Sequence, residues 1–274
     1  MKKITKYRIK NPYFYIGAIS LYLVVMIFWA VVSEVPRVYF IDSYEAPEFC
    51  GLSREKYLNI VFQGLLSWEA TWIHAFTYIV EYFPIFPAIA ALGFSRELKG
   101  YFPHACTRLA HPGKEIHLTC LRYALAGGAS VSLALCGFCI TLAPYLKAQV
   151  RVLGGFVEFF PKDFYPLHPF AVYIIMSCTV YFGAGFAFCY FAAAVAMWKN
   201  NIVFIMAAPL ILYNVMAHLD LFVDVLPLKI RSCVVPFNTS YNPAELMVPV
   251  LAVSVVSMLL VELRLHCRKG WVLG

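Results

Sequence analysis

Hydrophobic residues along this chain run in long stretches, and the polar and charged residues gather between them. A helix crossing the roughly 30 Å hydrocarbon core of a bilayer needs about 20 mostly apolar residues. Six stretches qualify: 13–32, 72–92, 120–144, 169–198, 202–218 and 247–263. Glu81, Pro84 and Pro87 interrupt the second. The fourth is long enough to require tilt or projection beyond the bilayer. Only Lys199, Asn200 and Asn201 separate it from the fifth. The pattern predicts an all-α polytopic membrane helix bundle of six transmembrane helices. Residues 1–274 form a single transmembrane domain, with no internal repeat. An even number of spans puts both termini on one side.

Composition agrees with this solvent. Hydrophobic residues make up 62% of the chain and charged residues 14%, against roughly 45–50% and 25% in soluble domains. A water-soluble fold of this size cannot hide so much apolar surface, and disorder is excluded by the same figures. The net charge of +7 would point towards nucleic acid in a soluble protein. In a membrane protein it has meaning only once the charges are assigned to sides, and no nucleic-acid partner is expected. With the N-terminus cytoplasmic, the inner segments hold 14 of the 22 Lys and Arg residues and the outer segments 8. This excess satisfies the positive-inside rule, so both termini are expected in the cytoplasm. The start, MKKITKYRIK, precedes an apolar run too long for a secretory signal core. It reads as an uncleaved anchor.

The outer segments are then 34–71, 145–168 and 219–246. Of nine cysteines, only Cys50 and Cys233 fall in them. A Cys50–Cys233 bridge would clip the first outer segment to the last; the alternative is two free thiols. Four others (Cys136, Cys139, Cys178 and Cys189) fall inside spans, where cysteine packs as a small apolar residue.

Familiar catalytic chemistry is missing from the pattern. The one Gly-Lys pair, Gly113-Lys114, lacks the upstream glycine and following hydroxyl of a phosphate-binding loop. There is no H-E-x-x-H helix and no G-x-S-x-G elbow. His104, Cys106, His111, His117 and Cys120 cluster, but at no standard zinc spacing. No catalytic residue, metal or cofactor is assigned to the chain itself. Glu81 stands out, because a carboxylate in the middle of a span costs a few kcal/mol on insertion scales. It reads either as a substrate-path or proton-relay group, or as a buried acid bonded to Tyr78, Tyr82 or a partner subunit. The proline pair after it predicts a kinked span. Glu262 lies beside Arg264 at the cytoplasmic end, which leaves Glu81 nearly alone. That argues against ion-coupled transport and for an energy source outside the chain.

The inner loop 94–119 is the richest polar feature. With its borders it reads GFSRELKGYFPHACTRLAHPGKEIHLTC. Ser95 is expected to cap a short helix with Glu97 in its first turn, and Gly100 and Pro103 to end it. Tyr101, Phe102 and Leu109 offer apolar knobs among basic residues. The loop either rests on anionic headgroups or docks into a groove of a cytoplasmic partner.

Here the sequence resembles a family. The short inner helix has the pattern R-E-L-x-G, followed about ten residues later by R-L-x-x-P-G-K. A tight polar turn joins spans four and five, and a long outer segment precedes span six. This is similar to the membrane subunit of a type-2 ABC exporter, a permease. The topology covers essentially the whole chain, the local motif only about 95–114. The resemblance implies that the inner helix is a coupling helix docking on a separate ABC ATPase, which binds ATP-Mg. Arg96, Glu97, Gly100, Tyr101, Phe102, Arg108 and Lys114 would contact that subunit or orient the helix. The segment 219–246 would cap the pathway, and a second permease copy or related chain would complete it. A bacterial plasma membrane is the setting it implies. The sizeable outer segment 34–71 departs from polysaccharide-exporting members and tilts the cargo towards a peptide, drug or lipid-like molecule. A membrane scaffold without a cargo path is the alternative.

Overall fold

The computed structural model describes residues 11–33, 35–40, 51–105, 112–147 and 155–267. Every regular element among them is a helix, and six helices are long and apolar enough to cross a membrane. The first is α1 (Pro12–Val32). The chain then forms α2 (Trp68–Phe76), α3 (Ile79–Tyr82), α4 (Ile85–Gly100) and α5 (Phe102–Ala105). The third crossing is α6 (Pro112–Leu142). The fourth is α7 (Pro169–Met176) joined through a π-turn, Ser177–Tyr181, to α8 (Phe182–Trp198). The fifth is α9 (Ile202–Leu219), followed by the short α10 (Ile230–Val234) and the sixth crossing, α11 (Pro243–Cys267).

Local chemistry sets several boundaries. Pro12 fills the first position of α1, and the Asn11 carboxamide oxygen accepts the Tyr13 N–H at 3.1 Å. Asn201 caps α9 in the same way, accepting Val203 N–H at 2.9 Å. Such caps satisfy helix-end donors that otherwise have no partner. The expected spans coincide with the observed crossings within a few residues, except at the inner ends of spans two and three, the outer end of span two and both ends of span six.

Span two is displaced: the crossing runs from Ile79 to Gly100 rather than over 72–92. The chain breaks twice on the way. Pro84 has no N–H to give the Val80 carbonyl, and the helix restarts at Ile85. A second break, at Thr77 and Tyr78, separates α2, which is buried in its own right: Trp72 and Ala75 are fully inaccessible. Trp72 stacks on Phe76 at 5.3 Å and on Tyr173 at 5.0 Å, with Tyr181 and Phe237 around it. The Trp68 N–H donates to Lys147 O and the Lys147 N–H to Leu66 O, both at 3.1 Å, pinning α2 to the far end of α6.

The core has two textures. Around α2 it is aromatic, whereas at the opposite end Ala88, Ala90, Ala91, Ala192, Ala193 and Ala194 pack with Phe94 and Phe102. Between them α6 and α8 cross on glycine. A Cβ on Gly127 would stand 2.3 Å from the Cys189 Cβ, and one on Gly128 2.7 Å from the Phe182 carbonyl oxygen. Small residues of this kind let helices approach where lipid gives no hydrophobic drive. Following the charge distribution, the end of the bundle carrying Asn11, Ser95 and Asn200 is referred to as the inner end.

Candidate functional site at the two ends of the bundle

At the inner end, Ser95 does not cap a separate helix. Residues 95–100 continue α4, and Ser95 instead meets the turn between spans four and five. The Ser95 hydroxyl bonds the Asn200 carboxamide, and Asn200 Nδ2 donates to Ser95 O at 3.0 Å. The helix ends at Gly100, as expected, and the chain bends through Tyr101 into α5. This makes an elbow.

The predicted docking residues divide at this elbow. Arg96 is exposed, with its guanidinium 4.9 Å from the Tyr13 ring. Glu97 is engaged internally: its Oε1 accepts the Tyr123 O–H at 2.9 Å. Gly100 is exposed, and a Cβ there would meet nothing within 4 Å. Tyr101 is half-buried. Phe102, expected as an exposed knob, is buried at 3% accessibility against Phe94 and Tyr101. The reason is the bend at Tyr101, which turns the aromatic back under α4 instead of outward. Lys114 is exposed at the start of α6. Arg108 lies outside the described residues, as do Cys106 and His111. His117 Nδ1 lies 3.6 Å from Glu262 Oε1, and Cys120 packs on the Met197 sulfur at 3.9 Å. Glu262 therefore meets His117 rather than Arg264, whose Nε donates to Met197 O at 3.1 Å.

At the outer end the surprise is Glu81. It is not at mid-span and does not bond Tyr78 or Tyr82; Arg231 of α10 meets it at 2.5 Å. Glu81 is the third residue of the crossing Ile79–Gly100, at its outer end. The segment after span five therefore folds back into the bundle. Tyr181 O–H donates to Val234 O at 2.9 Å, and Ile230, Cys233 and Val234 are fully buried. Cys233 carries a free thiol that donates to Leu246 O at 2.8 Å, and burial pushes it up to about 12. Its expected partner, Cys50, lies outside the described residues. Hydrogen bonds to Asp224 and Tyr241 hold the Lys229 ammonium above the ordinary lysine range. On α2, the buried Glu69 accepts the Tyr165 O–H at 2.9 Å, and burial raises that phenol far above its usual range.

Sequence reasoning missed Arg231, Asn200 and Tyr123, which hold Glu81, Ser95 and Glu97. Each partner is distant along the chain; the only sequence signal was the polar turn 199–201, read as a connector. Among the described residues no group of His, Cys, Asp and Glu is placed to hold a metal ion. No protein-family model, curated protein or solved structure matches the chain.

Proposed function

We propose that the chain is the permease subunit of an ATP-driven exporter of the type-2 ABC class. Cargo of peptide, drug or lipid-like character crosses a bacterial plasma membrane between two permease chains. ATP-Mg is bound and hydrolysed on separate cytoplasmic subunits. The observation that carries this reading is the elbow at the inner end. There α4 runs past the Ser95–Asn200 contact, turns at Tyr101, and leaves Arg96, Lys99 and Lys114 exposed without an ion pair among the described residues. The infolded α10 beneath the outer segment further supports it, since the resemblance requires an outer cap at that point. The core of a single chain is filled with side chains, so cargo passes between chains rather than through one.

The same filled core also fits a membrane scaffold that moves nothing. Co-expression with a Gly-rich phosphate-loop ATPase from a neighbouring reading frame separates the two readings. A permease copurifies with the ATPase and stimulates hydrolysis in a cargo-dependent way. Copurification without any effect on hydrolysis leaves the scaffold. Transport by the purified chain with no ATPase present sinks the exporter reading.

A further inference from the structure

A cleft of about 210 Å³ opens at the inner end between α1, α4 and α6. It is far larger than one water requires. Phe14 and Tyr15 line it from α1 and Asn11 from the cap before it, Glu97 from α4, and Arg122 and Tyr123 from α6. Three features of this lining point to one kind of ligand.

The first is depth. Asn11 caps the start of the first span, so the cleft sits where a bilayer changes from headgroups to acyl chains. The second is charge. Arg122 and Glu97 face the same cleft without forming an ion pair, and Arg122 meets no carboxylate among the described residues. Glu97 gives one oxygen to Tyr123, while Oε2 finds no partner, and neither does the Asn11 amide nitrogen. A site holding separated charges of both signs fits a ligand that carries both. The third is the rim. Tyr15 is 59% exposed and stands beside Phe14, with Leu118 and Leu125 exposed on neighbouring turns of α6. An apolar rim next to a dipolar pocket matches a headgroup with its chains alongside.

We propose that this cleft binds the headgroup of a phospholipid bearing a phosphate and a primary amine, with Arg122 on the phosphate and Glu97 facing the ammonium. The proposal does not rest on the exporter reading. A purely anionic headgroup leaves Glu97 unanswered. A quaternary ammonium has no N–H to give it.

Native mass spectrometry of the delipidated full chain tests this, with phosphatidylethanolamine, phosphatidylglycerol and phosphatidylcholine supplied in turn at equal concentration. Phosphatidylethanolamine is expected to be retained best. Arg122→Ala should lower its occupancy about tenfold, the scale of one lost charge-assisted bond, and Arg122→Lys should restore part of it. Glu97→Gln should remove the preference for phosphatidylethanolamine over phosphatidylcholine while leaving phosphate-borne binding. Soluble phosphoethanolamine at the same concentration should not displace the lipid. Displacement would identify a free phosphate ester as the ligand and overturn the lipid assignment. Equal retention of all three lipids by the wild-type chain overturns the proposal without reference to any variant, so misfolding of a variant cannot shelter it.

Discussion

The two ends of this bundle differ in their ion pairs and in their cores. At the outer end three charges are answered within the chain: Glu81 by Arg231, Lys229 by Asp224, and the Glu69 carboxylate by the Tyr165 hydroxyl. The core beneath is a stack of tryptophan, tyrosine and phenylalanine. At the inner end the core is largely alanine, and Lys99, Lys114 and Arg122 are exposed without an ion pair among the described residues. Answered charges lock a segment in place, whereas exposed unanswered ones leave a surface free to meet anionic partners. The outer end is held by its pairs and its aromatic stack, and on the proposed function the inner end is the one a partner meets.

Substitutions should therefore separate stability from assembly. The largest loss of stability is expected for Trp72→Ala, which empties the centre of the aromatic stack. Burial of this kind is worth about 3–5 kcal/mol, seen as a lowered melting temperature in detergent, with the elbow's partner capture falling only in proportion to unfolded protein. A variant of normal stability would break the claim that the outer end is the structural anchor. Arg231→Ala comes next. It leaves Glu81 unpaired at the outer end of the bundle, at about 1–2 kcal/mol, discounted because both side chains are half-exposed. A cycle with Glu81→Gln should recover part of this loss; additive single effects would mean that the pair contributes nothing.

The thiols supply a smaller contrast. Cys267 is exposed at the inner end and should label readily with maleimide at neutral pH. Cys233 should label only after unfolding, because it is buried and its folded-state value stands at about 12 against an ordinary 9.0. The sign follows: between those values the unfolded chain gives up this proton and the folded chain keeps it. The contribution of Cys233 to stability is thus complete below pH 9.0 and is lost as pH rises towards 12.

What was legible in the sequence follows the range of the forces involved. Five crossings could be read because apolar run length is a local property, and the bounds of the fourth coincide with Pro169–Trp198. Span two could not. Its apolar run continues through Trp72 and Phe76, and no glycine or proline marks the break at Thr77 and Tyr78. Only three-dimensional stacking against Tyr173 and Tyr181 takes α2 out of the crossing. Glu81 was visible as an anomaly, but its partner is 150 residues away. The motif residues 95–102 were found, yet the bend at Tyr101 decided which of them face outward, and that depends on packing against Phe94.

Charge reversal at the elbow carries the comparison further. Lys99→Glu and Lys114→Glu touch exposed side chains and should change stability by less than about 0.5 kcal/mol, while ATPase copurification falls sharply. Phe102→Ala should do the converse, lowering stability first. Equal behaviour of the three variants would erase the division between docking surface and support.

Gly100→Ala is the mildest change and sharpens the point most. No atom lies within 4 Å of where the new Cβ would stand, and Gly100 is not among the residues with a positive backbone φ. Packing and conformation therefore give no reason for glycine at this last helical position. Alanine there should be neutral or stabilising by up to about 1 kcal/mol, since glycine is the costlier residue in a helix. If the bare backbone is there so that a partner can approach closely, ATPase capture should weaken even as the melting temperature holds or rises. A variant that is more stable and captures the ATPase as well as the wild type would remove Gly100 from the docking surface. It would leave the exposed lysines as the part of the elbow that a partner reads.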